Sequence, residues 1–207
     1  MQSFDVASFW PFWSSSKIAR FDYKAIDGSL APITSVFSYD KATQSMLYDD
    51  YNADSVWQDR WFYKHQVGFG VAEWRDDYPA NGVVKTLFGD KKKLVFSTPI
   101  GWGDKVQIGD YVANTAVVDT LKSCPPQFGS CVQSIVFEAF LPSFQSGGVI
   151  YPDVLVFMYQ QKWGSKITGA RYWMARGIGP ISVQWHGVGP SGQIIESSRL
   201  DAALTIY

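Results

Sequence analysis

The sequence predicts an all-β chain, mainly antiparallel, curled into a closed or half-open barrel. Three observations carry this expectation. Many short segments rich in Val, Ile, Tyr, Phe and Trp alternate in character, separated by clusters of Gly, Pro, Asn, Asp or Ser. No gap holds an amphipathic stretch of about ten residues, and parallel strands need crossovers of at least that length. Finally, a flat open sheet of about a dozen strands would expose long unpaired edges, so closure or strong curling follows.

Taken in order, Ala19–Ile26 alternates Ala19, Phe21, Tyr23 and Ala25 against Arg20, Asp22 and Lys24, which gives one dry and one wet face. Ile33–Tyr39 and Ser45–Tyr51 follow as strands. In Val56–His65, Trp57, Asp59, Trp61 and Tyr63 share one face, a mixture of indole and carboxylate that an ordinary core does not favour. Further strands are expected at Val67–Trp74, Lys92–Ser97, Asp110–Leu121, Ser134–Phe140, Val154–Lys162, Thr168–Ala175, Ile181–His186 and Gln193–Glu196. Pro152-Asp153 could open a turn of helix, but the β-branched and aromatic VLVFMY after it favours strand. Asn81-Gly82 and Gly147-Gly148 are turn signals. The run Lys91 to Lys93 reads as a charged guard ahead of a strand.

A single domain spanning 1–207 is expected, because 207 residues can bury one sizeable core and no linker or fixed-period repeat divides them. Lys and Arg number 18 against 19 Asp and Glu, so no broad positive field draws the chain onto a nucleic-acid backbone. No run of about eighteen apolar residues is present, which argues against a spanning helix. The opening MQSFDVASFWPFWSSS lacks the basic start and small-residue cleavage site of a secretory signal. Compartment is read instead from Cys124 and Cys131 in SCPPQFGSC, a tight loop that a disulfide could close. Zinc would need further ligands, and His65 and His186 lie far off in sequence; two free thiols are the remaining alternative. A bridge would place the chain in a periplasm or outside the cell.

Three segments carry a resemblance: FWPFWSSSKIARFDY, FSTPIGWGDKVQIGDY and, closest, ARYWMARGIGPISVQW from Ala170 to Trp185. They resemble, in order and spacing, exported bacterial β-sheet proteins and lipoproteins with a "YFPL, Gly, Trp, Tyr" opening and a "YYAKGVGLVK" closing hairpin. The resemblance implies a curved, half-open barrel in a secreted or periplasmic protein, and no particular activity. Here the opening glycine is absent, Pro180 stands where a second aliphatic residue is usual, and the lipoprotein cysteine is missing.

Tryptophan is the most informative residue type, with 9 copies where roughly three would be average for this length. Any one indole can simply fill core, but so many suggest that several line a cavity able to take a sugar, an acyl chain or an aromatic ring. The expected ligand-binding set is Trp57, Trp61, Trp74 and Trp173 for apolar contact, with Asp59 and Arg171 orienting a polar end. His65 and His186 each end an aromatic strand, where an imidazole titrating near neutrality could act as general acid or base. Asp59, Glu73 and Glu138 are the strand-borne acids a glycosidase could pair across a cleft. No nucleophile elbow, Walker loop or His-Glu-x-x-His pair occurs, and GIGPIS and GVGPSG read as turns.

The expectation is therefore a secreted or periplasmic binding protein that holds a small apolar or amphipathic ligand, with a carbohydrate as a further candidate, and without metal or cofactor. One alternative is a small enzyme acting on a carbohydrate or aromatic compound. The other is a surface interaction module with exposed indoles.

Overall fold

Apolar residues at every second position build the strands, and a computed structural model shows how the strands join. It describes residues 2–10, 18–42, 45–55, 57–66, 70–77, 105–115, 131–188 and 193–207, covering the backbone alone for 7, 45, 57–66, 70–77, 112–115, 131, 163, 166 and 194. In β2 (Ala19–Ala25), Ala19, Phe21 and Tyr23 are buried while Arg20 and Lys24 are exposed, the alternation their spacing predicts. The strands β3 (Ile33–Asp40), β4 (Ser45–Tyr51), β5 (Trp57–Gln66) and β6 (Gly70–Asp77) follow as an antiparallel meander. After β7 (Lys105–Gln107) and β8 (Tyr111–Thr115), a second meander runs through β9 (Cys131–Ser146), β10 (Val149–Trp163), β11 (Lys166–Ala175) and β12 (Gly179–Val188).

The meanders are fused by β14 (Leu200–Ile206), which pairs with β2 on one side and β12 on the other. The resulting order is β6-β5-β4-β3-β2-β14-β12-β11-β10-β9-β8, with the short β13 (Ile194–Glu196) beside β12. This antiparallel sheet curls strongly into an open half-barrel, as the sequence predicts. Among the described residues no helix is long and apolar enough to cross a membrane.

Three strands escape the sequence reading: β1 (Ser3–Asp5), β7 and β14. In β14, Leu-Asp-Ala-Ala-Leu offers no β-branched residue before Thr205. Tertiary pairing with β2 over Leu200 to Ile206 overrides that weak local preference. The expected strand Lys92–Ser97 lies outside the described residues. Over Pro152-Asp153 the chain does remain strand, with Asp153 at φ 52.

The main core fills the concave side, with Phe21, Phe37, Phe137 and Phe157 almost wholly buried. The N-terminal segment enters this core. Strand β1 pairs with β7 in a separate two-stranded ribbon, and the 3-10 helix Val6–Phe9 carries Phe9 and then Trp10 inward. Trp10 packs on Phe157 at 6.0 Å between ring centroids, and Phe4 stacks on Phe140 at 4.5 Å. The turn after β11 fastens this plug: Gly177 N donates to Ser8 O at 2.6 Å, and Arg176 Nη1 donates to Ser8 Oγ at 2.6 Å.

A second, smaller cluster joins Tyr151, Val154, Ala175 and Ile181 with Phe144 and Trp173. It lies where β9 and β10 carry the prolines Pro142 and Pro152. Register is kept there, with Pro152 opposite Ser143 and Val154 opposite Leu141, while Asp153 and Pro142 between them do not pair. Ser146 Oγ, at the hairpin tip, donates to Ile181 O at 2.5 Å. Gly147 in the tip has φ +56, and a Cβ there would sit 2.4 Å from Ala202 O, so the turn requires glycine on both counts.

Candidate functional site

Strands β4 and β10 stand six places apart in the sheet, yet both border one cavity of about 650 Å³, so the curl brings them face to face. The cavity lies toward the far end of β10, β11 and β12 from the turn that holds the N-terminal plug. One wall is Ile33 with Asp50 and Tyr51, extended at the rim by Leu30, Pro32 and Asn52. The other is Tyr159, Gln161, Ala170, Tyr172 and Trp185, with His186 at its margin. Aliphatic and aromatic groups dominate, interrupted by a few polar tips, which is the usual make-up of a small-molecule site.

Alternation explains each inward side chain. In β4, Met46, Tyr48 and Asp50 share the face that pairs with Tyr39, Phe37 and Ser35 of β3. Ser35 is fully buried; its Oγ donates to an Asp50 carboxylate oxygen and lies 3.0 Å from Tyr48 Oη. Tyr23 joins this group and donates to the Pro180 carbonyl. Burial holds the Tyr23 phenol well above the ordinary tyrosine range, against the opposing pull of its hydrogen bond with Tyr48, so it stays protonated. Across the cavity, Gln161 Nε2 donates to Tyr159 Oη at 2.9 Å, and Tyr159 Oη donates to the buried Gln133 Oε1 at 3.2 Å. Both walls thus carry polar groups fixed in hydrogen-bonded rows, as burial demands.

The outer face of β10 to β12 is organised differently. Arg171 Nε donates to Glu138 at 2.6 Å, and its Nη1 reaches Gln184 and Glu196, each at 3.0 Å. These carboxylates, Glu138 first, raise the Arg171 guanidinium pKa. Glu138 can reach it because β9 bulges there: Phe137 pairs with Phe157 and Ala139 with Val156, leaving Glu138 between. One row along, Gln160, Gly169 and His186 align across three strands. Gly169 leaves room for Gln160 Nε2 to reach His186 Nε2 at 3.1 Å; a Cβ on it would lie 2.9 Å from His186 Cε1. An Nε2 that accepts from an amide belongs to a neutral imidazole protonated on Nδ1. Burial first, and the Arg171 charge second, lower the His186 pKa accordingly.

Against this geometry the sequence expectations divide. Arg171 and Trp173 do not border the cavity: they alternate with Ala170 and Tyr172, which do, so they point from the opposite face of β11. Arg171 is engaged by Glu138 and Glu196 instead of orienting a ligand there, and Trp173 stacks on Phe144 at 5.7 Å. Glu138 is the partner of that arginine. Of the two histidines, His186 reaches the cavity margin and His65 pairs in register with Val71. Asp59 pairs with Asp50, Trp61 with Tyr48, Trp57 with Tyr51, Trp74 with Tyr63 and Glu73 with Lys64; their side chains lie outside the description. Cys131 starts β9 and Cys124 lies outside the described residues.

Asp50, Tyr159, Gln161, Tyr172 and Trp185 are among the cavity residues missing from the sequence reading. A signal for Asp50 is present: it continues the apolar face of Met46 and Tyr48, the same mixture that singles out Asp59. Tyr159 and Gln161 continue the face of the core residues Leu155 and Phe157 in the same way.

Comparison with protein-family models, with curated proteins and with solved structures finds no match for this chain.

Proposed function

We propose that this protein binds a small apolar or amphipathic ligand in the cavity of its half-barrel, without chemical conversion. The observation that carries the reading is the cavity itself. It measures about 650 Å³, is walled by Trp185, Tyr159, Tyr172 and Ile33, and carries Asp50, Tyr159 and Gln161, each hydrogen-bonded to a neighbour. Preformed sites of this size and lining suit molecules that bury most of their surface. Catalysis by His186 or Glu138 draws no support from their surroundings, since the first accepts from Gln160 and the second is paired with Arg171. An exported location, with Cys124 bonded to Cys131, belongs to the same proposal; it rests on the cysteine loop and on the resemblance to exported β-sheet proteins.

Nile red, a neutral dye that brightens on leaving water, tests the site. The full chain is expected to enhance its emission. Thr168→Phe, which adds a ring to the cavity wall, is expected to suppress the enhancement while keeping the unfolding midpoint, and Trp185→Ala to weaken it. Undiminished dye binding by a folded Thr168→Phe variant would remove the cavity as the site.

A further inference from the structure

We propose, building on the ligand-binding reading above, that the polar end of the ligand is an alcohol or a primary amide, received by Gln161 and Thr168. Gln161 is only 7% exposed and lines the cavity. Its Nε2 donates to Tyr159 Oη, whose own proton goes to the buried Gln133 Oε1. Turning the amide over would set its oxygen against a hydroxyl already committed to Gln133, so this chain of bonds makes Oε1 the atom left over. Among the described residues that oxygen takes part in no hydrogen bond. An amide oxygen only accepts, so a ligand group meeting it must donate. A ligand that fills the cavity also takes solvent away from this oxygen, and one unable to donate in return loses the bond.

The register places a second polar group beside the first. Thr168 of β11 stands directly opposite Gln161 of β10, and facing residues of antiparallel strands share one side of the sheet with Cβ atoms about 4.5–5.5 Å apart. Thr168 lines the cavity too, and its hydroxyl, which makes no hydrogen bond among the described residues, can donate or accept. One ligand hydroxyl or amide therefore serves both, its proton on Gln161 Oε1 and its oxygen on the Thr168 hydroxyl. The row they belong to is uncharged across four strands, running Gln133, Gln161, Thr168 and Gly187. A carboxylate has no proton to offer Gln161 and would carry its charge into a largely apolar recess. One row along, Tyr159 and Trp185 flank the small Ala170, and both border the cavity, so rings for the apolar body lie next to the polar pair.

Three probes separate the terms: phenethyl alcohol, benzyl methyl ether and phenylacetate, titrated calorimetrically into the full chain at pH 7. The first two are isomers, and only the alcohol can donate. The alcohol is expected to bind about fivefold more tightly than the ether, with phenylacetate weakest. Gln161→Met, close in length and without the amide, is expected to bring the alcohol down to the level of the ether and leave the ether within about twofold. Thr168→Val, which exchanges the hydroxyl for a methyl group, is expected to weaken the alcohol about threefold. Equal binding of alcohol and ether, or tighter binding of phenylacetate than of the alcohol, would overturn the assigned polar end and leave the cavity as a site for apolar bodies. So would a preference for the alcohol that survives in folded Gln161→Met. Should that variant not fold, Thr168→Val decides, and an alcohol affinity it leaves unmoved overturns the assignment. Binding of Nile red without binding of any of the three also overturns it, and failure of all four overturns both readings.

Discussion

The two ends of the half-barrel are built from the same strands and meet opposite fates. Toward the turn after β11, the inward residues of β10 to β12 are Leu155, Phe157, Met174 and Val183, and the N-terminal Phe9 and Trp10 close over them. Toward the other end, the inward positions hold Tyr159, Gln161, Thr168 and Ala170, and a cavity opens. The difference is one of side-chain size and polarity at alternate positions. Large apolar groups are covered by a plug that buries their area, worth about 25 cal/mol per Å². Small or hydrogen-bonded groups cannot fill the curl and leave room for something else.

The sharpest way to break this comparison is to cut into each end. Phe157 is 1% exposed and touches Trp10, Phe137 and Tyr172 by ring contacts of 6.0, 6.0 and 5.3 Å. Phe157→Ala is expected to cost about 3–5 kcal/mol in urea unfolding, because the surrounding rings cannot collapse fully into the space. An effect below about 1 kcal/mol would mean that the plugged end is no better packed than the open one.

That contrast was partly legible from residue types. The strands around Phe21, Tyr23, Met46 and Tyr48 declare themselves by alternation, and the all-β curled architecture follows from their number. Which indoles converge was not legible, because a strand's two faces look alike until a partner covers one. Trp173 is the clear case: its aromatic neighbour Tyr172 faces the cavity, whereas the β9–β10 hairpin supplies Phe144 on the other side. Nothing local to Trp173 reports a hairpin that returns from residues 141–151. Arg171 likewise found its acids in β9 and β13, distant in sequence and placed by a bulge. The link through β14 was hidden for a related reason, since its pairing partners, not its own composition, make it a strand.

Gly169 sharpens the comparison between the faces of one strand at a smaller energy. A Cβ there would lie 2.1 Å from Tyr159 O and 2.9 Å from Gln160 Cα, both backbone atoms that cannot swing aside. Gly169→Ala is expected to cost about 1–3 kcal/mol through forced separation of β10 from β11, and to disturb the Gln160–His186 contact. Thermal unfolding gives the first result and the His186 imidazole resonances give the second. Unchanged stability would show that the strands part at no expense.

The smallest expected effect is the pH response of His186, which compares the closed outer face with the open cavity it borders. Burial and Arg171 lower its pKa against the opposing pull of Glu196 and Glu138, while Gln160 favours the neutral ring. A base whose folded pKa lies below its unfolded value contributes stability above the unfolded value. That contribution is lost as pH falls toward the folded one, because the unfolded chain takes up the proton first. Stability is therefore expected to decline on acidification from pH 7 through the ordinary histidine range. Subtracting the curve for His186→Gln, whose amide can still accept from Gln160, isolates this residue from His65. A difference curve that stays level across that range would mean that the ring titrates as freely as in the unfolded chain, and that the outer face of β12 is as open to water as the cavity margin beside it.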